Sequence, residues 1–118
     1  MKKVFIPLLL ILLTTPVHAV VYHFYNAEGL MEAALEWEKS QTNPKDADLL
    51  LVSSYAGYIG ALFDHLSEKQ HICAPDGLTK NDVIGLVSNY LKNNRKYLNS
   101  AGSVLVEKAF YKEYSCAK

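Results

Sequence analysis

Apolar residues recur at intervals of three and four in four successive segments, and none of these segments alternates with period two. That is the pattern of amphipathic helices, not strands. The first segment covers about residues 27–39. Asn26 is placed to cap it, Glu28 suits its first turn, and Leu30, Ala33, Ala34 and Trp37 share one face. The second is expected to begin at Asn43-Pro44, a capping residue followed by proline at the first helical position, with Asp46 and Asp48 favoured by the helix dipole. Its apolar stripe, Leu49, Val52, Ala56, Ile59, Gly60, Phe63 and Leu66, predicts the central and most buried helix. Residues 67–77 form a polar connection with Pro75 and Asp76-Gly77 as turn signals.

Thr79, with Asp82 three residues on, reads as a capping box for the third helix. Val83, Leu86, Val87, Tyr90 and Leu91 make its apolar face, and Asn93-Asn94 ends it. The fourth starts near Lys96 or Ser100 and continues to Tyr114, with Leu98, Ala101, Val104, Leu105, Ala109 and Phe110 facing inward. Short connections make neighbouring helices antiparallel. The expected fold class is all-α: a small bundle of four helices or slightly more.

Gly57 and Gly60 interrupt the second helix. Each costs about 1 kcal/mol relative to alanine in a helix interior. Their expected compensation is close packing, where a ring or another helix approaches the backbone, and a dimer interface is the sharper form of that reading.

The chain's start changes the picture. Lys2 and Lys3 precede an almost unbroken apolar run over residues 4–13, and Thr14-Thr15-Pro16 breaks it. Val17-His18-Ala19 then offers small residues where a signal peptidase reads. The run is shorter than the roughly 20 residues of a membrane span. Residues 1–19 therefore read as a secretory signal peptide, and residues 20–118 as one mature domain with no membrane attachment. Without Lys2 and Lys3, the balance of 12 basic and 12 acidic residues becomes two charges negative. That argues against nucleic acid, which calls for a basic surface.

Cys73 and Cys116 are the two cysteines. An even pair in an exported chain makes a disulfide the default. The loop it closes would be stabilised by roughly 4 kcal/mol in the chain-entropy description. His71 lies two residues before Cys73, but two ligands do not hold a metal. No cofactor is expected.

Catalytic chemistry finds little footing. A nucleophile needs a base held by a third group, and no such constellation stands out. Asp64 and His65 are adjacent on a helix and face different ways. Glu28, Glu32 and Glu36 follow one another at helical spacing, as on a solvated face. Eight tyrosines are many for this length; most are expected at the rim of the core with hydroxyls in water, and the remainder suit a recognition surface. A binding protein is the expected class.

The ordered set Gly57-Tyr58, Gly60, Asp64, Cys73, Pro75, Gly77, Thr79, Val87, Tyr90-Leu91, Ala101, Leu105-Val106, Ala109 and Cys116 resembles the Rap/Tai family of immunity proteins against type VI secretion amidase effectors. Members often carry a second cysteine pair, and here Tyr55 stands at one of those places. Arg95 and Ser115 stand where prolines are common. The resemblance implies a helical periplasmic protein, often a homodimer, that inhibits a peptidoglycan amidase by filling its substrate cleft. On that reading Asp64, Glu68, Lys69, Gln70 and His71 meet the effector. The alternative is a small periplasmic chaperone of the acid-stress type, which the core-forming look of the second helix disfavours.

Intact-mass measurement of exported protein should return residues 20–118, with no thiol open to alkylation before reduction. Two freely alkylated thiols in native material would contradict the bridge.

Overall fold

A computed structural model describes residues 23–97 and 99–116. The signal peptide read in residues 1–19 and the inward placement of Leu98 lie outside the described residues. The elements are α1 (Ala27–Thr42), α2 (Leu49–Glu68), α3 (Lys80–Asn93), a 3-10 turn (Arg95–Tyr97) and α4 (Gly102–Tyr114). The fold is an all-α four-helix bundle.

Local chemistry sets most of the helix starts. The Asn26 side chain accepts the Gly29 N–H at 2.7 Å and opens α1. Thr79 and Asp82 form the expected reciprocal box at the head of α3. The two hydrogen bonds from Thr79 hold the Asp82 carboxyl below its ordinary range. The start of α2 corrects the expectation. Asn43 donates its N–H to the Lys39 carbonyl at 2.7 Å and closes α1. Asp48 is the cap of α2, accepting the N–H groups of Leu50 and Leu51 at 3.1 Å each. A Glu36 carboxylate oxygen accepts the Asp48 N–H at 2.8 Å and ties the cap to α1. Lys39 and this N–H together keep the Glu36 carboxyl below its ordinary range.

The helix with no side-chain cap is α4. Its start lies against the start of α1, joined by an isolated antiparallel bridge between Asn26 and Ala101. Gly102 donates its N–H to the Tyr25 carbonyl at 3.0 Å, and Ala27 donates to the Ser100 carbonyl at 3.2 Å. Two helix ends thus satisfy each other's free donors. The approach requires glycine: a Cβ on Gly102 would sit 2.8 Å from the Tyr25 oxygen.

Burial reverses the expected ranking of helices. The deepest is α1, with Ala27, Leu30, Met31, Ala33, Ala34 and Trp37 buried. Its alanines let the other helices come close to its axis. In α2 only Tyr55, Ile59 and Leu66 are buried, while Leu49 is 59% and Leu50 83% exposed. In α4 the inward face is Gly102, Leu105, Val106, Ala109 and Phe110, and Val104 faces outward. Each fully buried leucine or isoleucine of this core stabilises it by about 1.5–3 kcal/mol.

Tyr58, Tyr90 and Tyr97 are half-buried and Tyr111 is exposed, as expected of rim tyrosines, but Tyr55 departs from that reading. Tyr55 is fully buried, and its hydroxyl shares a 2.8 Å hydrogen bond with Ser88 Oγ, which in turn donates to the Ile84 carbonyl at 3.2 Å. Burial holds the phenol well above its ordinary pKa, although the serine works the other way. Tyr25 likewise reaches Ser54 Oγ at 2.8 Å. Serines inside apolar helices are what let these rings enter the core.

Two glycine-to-alanine substitutions should move stability in opposite directions in urea titrations. Gly102→Ala should cost about 1–3 kcal/mol through overpacking. Gly85→Ala, whose Cβ would rest in ordinary contact 3.5 Å from the Trp37 ring, should gain up to about 1 kcal/mol.

Candidate binding surface

The end of α2 is exposed yet held by several constraints. Residues 67 and 68, expected in the connection, are its last helical turn. Gln70 donates to the Ser67 carbonyl at 3.0 Å and His71 to the Leu66 carbonyl at 2.9 Å. This is the paired closure of a Schellman end, which places the residue after the cap in the left-handed region. Gln70 sits there at φ 57°. A glutamine at this position carries strain that glycine would not.

Glu68, Lys69, Gln70 and His71 are all exposed on this turn, flanked by the buried Leu66 and Ile72. The turn is then bolted to the end of α4. Cys73 donates its N–H to the Tyr114 carbonyl at 2.7 Å, and Cys73 and Cys116 form the disulfide with Cα atoms 4.8 Å apart. The Cys116 sulfur lies 3.8 Å from the Gln70 carbonyl oxygen. The Tyr114 ring packs with Phe63 and Phe110 as a triad with centroids 5.4–6.2 Å apart. Burial raises the Tyr114 phenol above its ordinary range.

Two hollows adjoin this end. The smaller, about 420 Å³, lies between Phe63, Ser67 and the stretch from Ile72 to Leu78. Ser67 Oγ is buried there with no hydrogen-bond partner. The larger, about 610 Å³, separates α2 from the head of α3. Its surface is mainly Gly57, Gly60, Ala61, Phe63, Val83 and Ile84, with Asp64 and Lys80 on opposite walls. A Cβ at Gly57 or Gly60 would meet nothing within 4 Å, so among the described residues no ring or neighbouring helix compensates those glycines.

The five residues singled out from the sequence therefore divide. Glu68, Lys69, Gln70 and His71 are gathered on the braced turn, while Asp64 stands one helical turn back in the wall of the larger groove. What sequence reasoning missed is the groove itself and the Ser67 hydroxyl. The signal for the groove was present: α2 carries no charge from Leu49 to Phe63. Among the described residues no group of three or more His, Cys, Asp or Glu is arranged to hold a metal ion.

A family model described as Rap1a immunity proteins matches residues 26–116. The chain belongs to this family. The match opens on the cap of α1 and closes on the second half-cystine, so it takes in all four helices and the bridge. No curated protein and no solved structure matches the chain. Membership of the Rap1a family makes this an immunity protein, whose partner is a secreted effector. The exposed apolar side of α2 removes one argument against the chaperone reading, but the family match weighs against it.

Gln70→Gly should raise stability by about 1 kcal/mol by releasing the left-handed glutamine, read as a higher urea midpoint at unchanged slope. An unchanged or lower midpoint would show that the turn is not strained.

Proposed function

We propose that this immunity protein acts in the periplasm, where it binds a type VI secretion amidase effector and blocks its peptidoglycan cleft. The observation that carries the reading is the family match across the whole bundle. The signal sequence read in residues 1–19 and the disulfide, which belongs to oxidising compartments, support the location.

The braced turn is the occluding element. An amidase cleft is built to hold an extended peptide through its hydrogen-bonding groups. Glu68 supplies acceptors, Lys69 donors, and the Gln70 amide both. The Schellman closure and the bridge fix this turn before contact, so little conformational entropy remains to be lost on binding. The buried, unpartnered Ser67 hydroxyl beside it offers a further hydrogen bond to an effector group that enters the small hollow. Mixed charge at the tip steers encounter and sets partner choice more than it adds affinity. Inhibition by this route is stoichiometric and involves no turnover by the immunity protein. The working form is a homodimer.

Titration of the oxidised mature protein into its cognate amidase, with peptidoglycan fragments as substrate, should abolish hydrolysis at one chain per active site. Lys69→Glu combined with Gln70→Gly should keep the fold and raise the inhibition constant at least tenfold, equivalent to about 1.4 kcal/mol. An amidase that works at full rate in excess immunity protein, or an immunity protein that itself consumes the fragments, would overturn the proposal.

A further inference from the structure

A helix on a protein surface ordinarily carries charge on its outer side, but α2 carries none from Leu49 to Phe63. Only Tyr55, Ile59 and Leu66 of the helix are buried. The groove between α2 and α3 is floored by Gly57, Gly60, Phe63 and Val83, and the described residues put nothing where the Cβ atoms of its glycines would stand. Soluble proteins rarely leave an apolar hollow of this kind without an occupant.

The start of the described chain sets out from this side of the molecule. Phe24 is 77% exposed, yet its ring stacks on Tyr58 of α2 with centroids 5.9 Å apart. Both rings meet Tyr25 edge-on at 5.0 Å, and Tyr25 is held in turn by Ser54 of α2. Cleavage after Ala19 leaves Val20, Val21, Tyr22 and His23 ahead of Phe24. In an extended chain alternate residues share a face. Val20 and Tyr22 therefore continue the side from which Phe24 meets α2, and the exposed His23 falls on the other side with Val21. Four extended residues reach about 13 Å, while α2 rises about 9 Å from Tyr58 to Asp64. The segment is long enough to cross α2 and enter the groove.

We propose that the mature N-terminus is the occupant: residues 20–22 lie extended across α2, with Tyr22 against Gly57, Val20 beside Phe63 and the new α-ammonium group at Asp64. This rests on cleavage after Ala19, as read from the sequence. The charges fit. An α-amino group is largely protonated at neutral pH, and Asp64 lines the groove without an ion pair among the described residues. Lys80 stands on the other wall, at the start of α3. An exposed pair adds little strength, so Asp64 sets the register and the burial of Val20 and Tyr22 supplies the drive. The glycines gain a reason, since a position without a Cβ lets a ring or a backbone lie close against the helix. The arrangement also ties completion of the fold to export. In the precursor the Val20 nitrogen is an uncharged amide that continues into the signal sequence, so the groove stays open until signal peptidase cuts.

Isotope-filtered NMR of the oxidised protein, prepared to begin at Val20, tests this. Nuclear Overhauser contacts should join the Val20 methyls to the Phe63 ring and the Tyr22 ring to Gly57, all within one chain. Gly60→Leu, for which the described residues leave room, should abolish these contacts while circular dichroism shows an intact bundle. Asp64→Asn, and a chain that retains His18-Ala19 ahead of Val20, should each weaken them, and the two changes together should weaken them no further. Absence of the contacts in the mature chain, or contacts indifferent to Gly60→Leu or to Asp64→Asn, would overturn the proposal. So would contacts between chains, which give the groove to a second copy, or groove resonances that move only when the amidase is added, which give it to the effector. The two proposals fail separately: an undocked N-terminus in a protein that silences the amidase removes only the docking, and a docked one in a protein that ignores the amidase removes only the neutralisation.

Discussion

The bridge from Cys73 to Cys116 is the constraint on which the rest of this molecule's exposed end depends. A domain of this size has one modest core and a total stability of about 5–15 kcal/mol, so a cross-link contributing roughly 4 kcal/mol is a large share. Its placement matters as much as its strength. It joins the exit of α2 to the end of α4, next to Tyr114, whose carbonyl accepts the Cys73 N–H and whose ring packs with Phe63 and Phe110. Residues 68–71 are thereby held between a helix end on one side and a covalent anchor on the other. A polar turn fixed in this way can act as a preformed wedge, where an unbraced one would have to be ordered at the moment of contact.

The same bridge links structure to compartment. It forms where the surroundings oxidise thiols, so the proposed inhibitor reaches its braced form only after export. Oxidation, turn geometry and recognition then become successive steps of one argument. The strained Gln70 fits that order. A glycine there would close the helix more comfortably, but it would present no amide to a partner.

What was legible in the sequence was the chemistry that acts over three or four residues. Asn26, and Thr79 with Asp82, cap their helices as read, because a cap depends on its own turn alone. Asn43-Pro44 misled because Asp48 offered a better cap a few residues on, leaving Asn43 to close α1. The ranking of helices was not legible. Because α2 is apolar on most of its circumference, its hydrophobic pattern has no clear phase, and the stripe from Leu49 to Phe63 was assigned to the core when much of it faces outward. In α1 the small alanines hid how deep the helix lies. Tyr55 and Ser88 meet only through tertiary packing, 33 residues apart, and neither residue alone announces it. Of the candidate site, the exposed turn and its bridge were readable. The groove was not read, although the uncharged run from Leu49 to Phe63 carried a signal for it, because Gly57 and Gly60 were taken to mark close packing when they line open space.

The central claim is that the braced turn, and not another face of the bundle, fills the effector's cleft. Hydrogen exchange of the oxidised protein, alone and saturated with its cognate amidase, tests this most directly. The account predicts added protection concentrated on the amides of residues 68–73, with the exposed side of α1 unchanged. Protection confined to α1, or the absence of any new protection at that turn in a complex that is demonstrably formed, would contradict it.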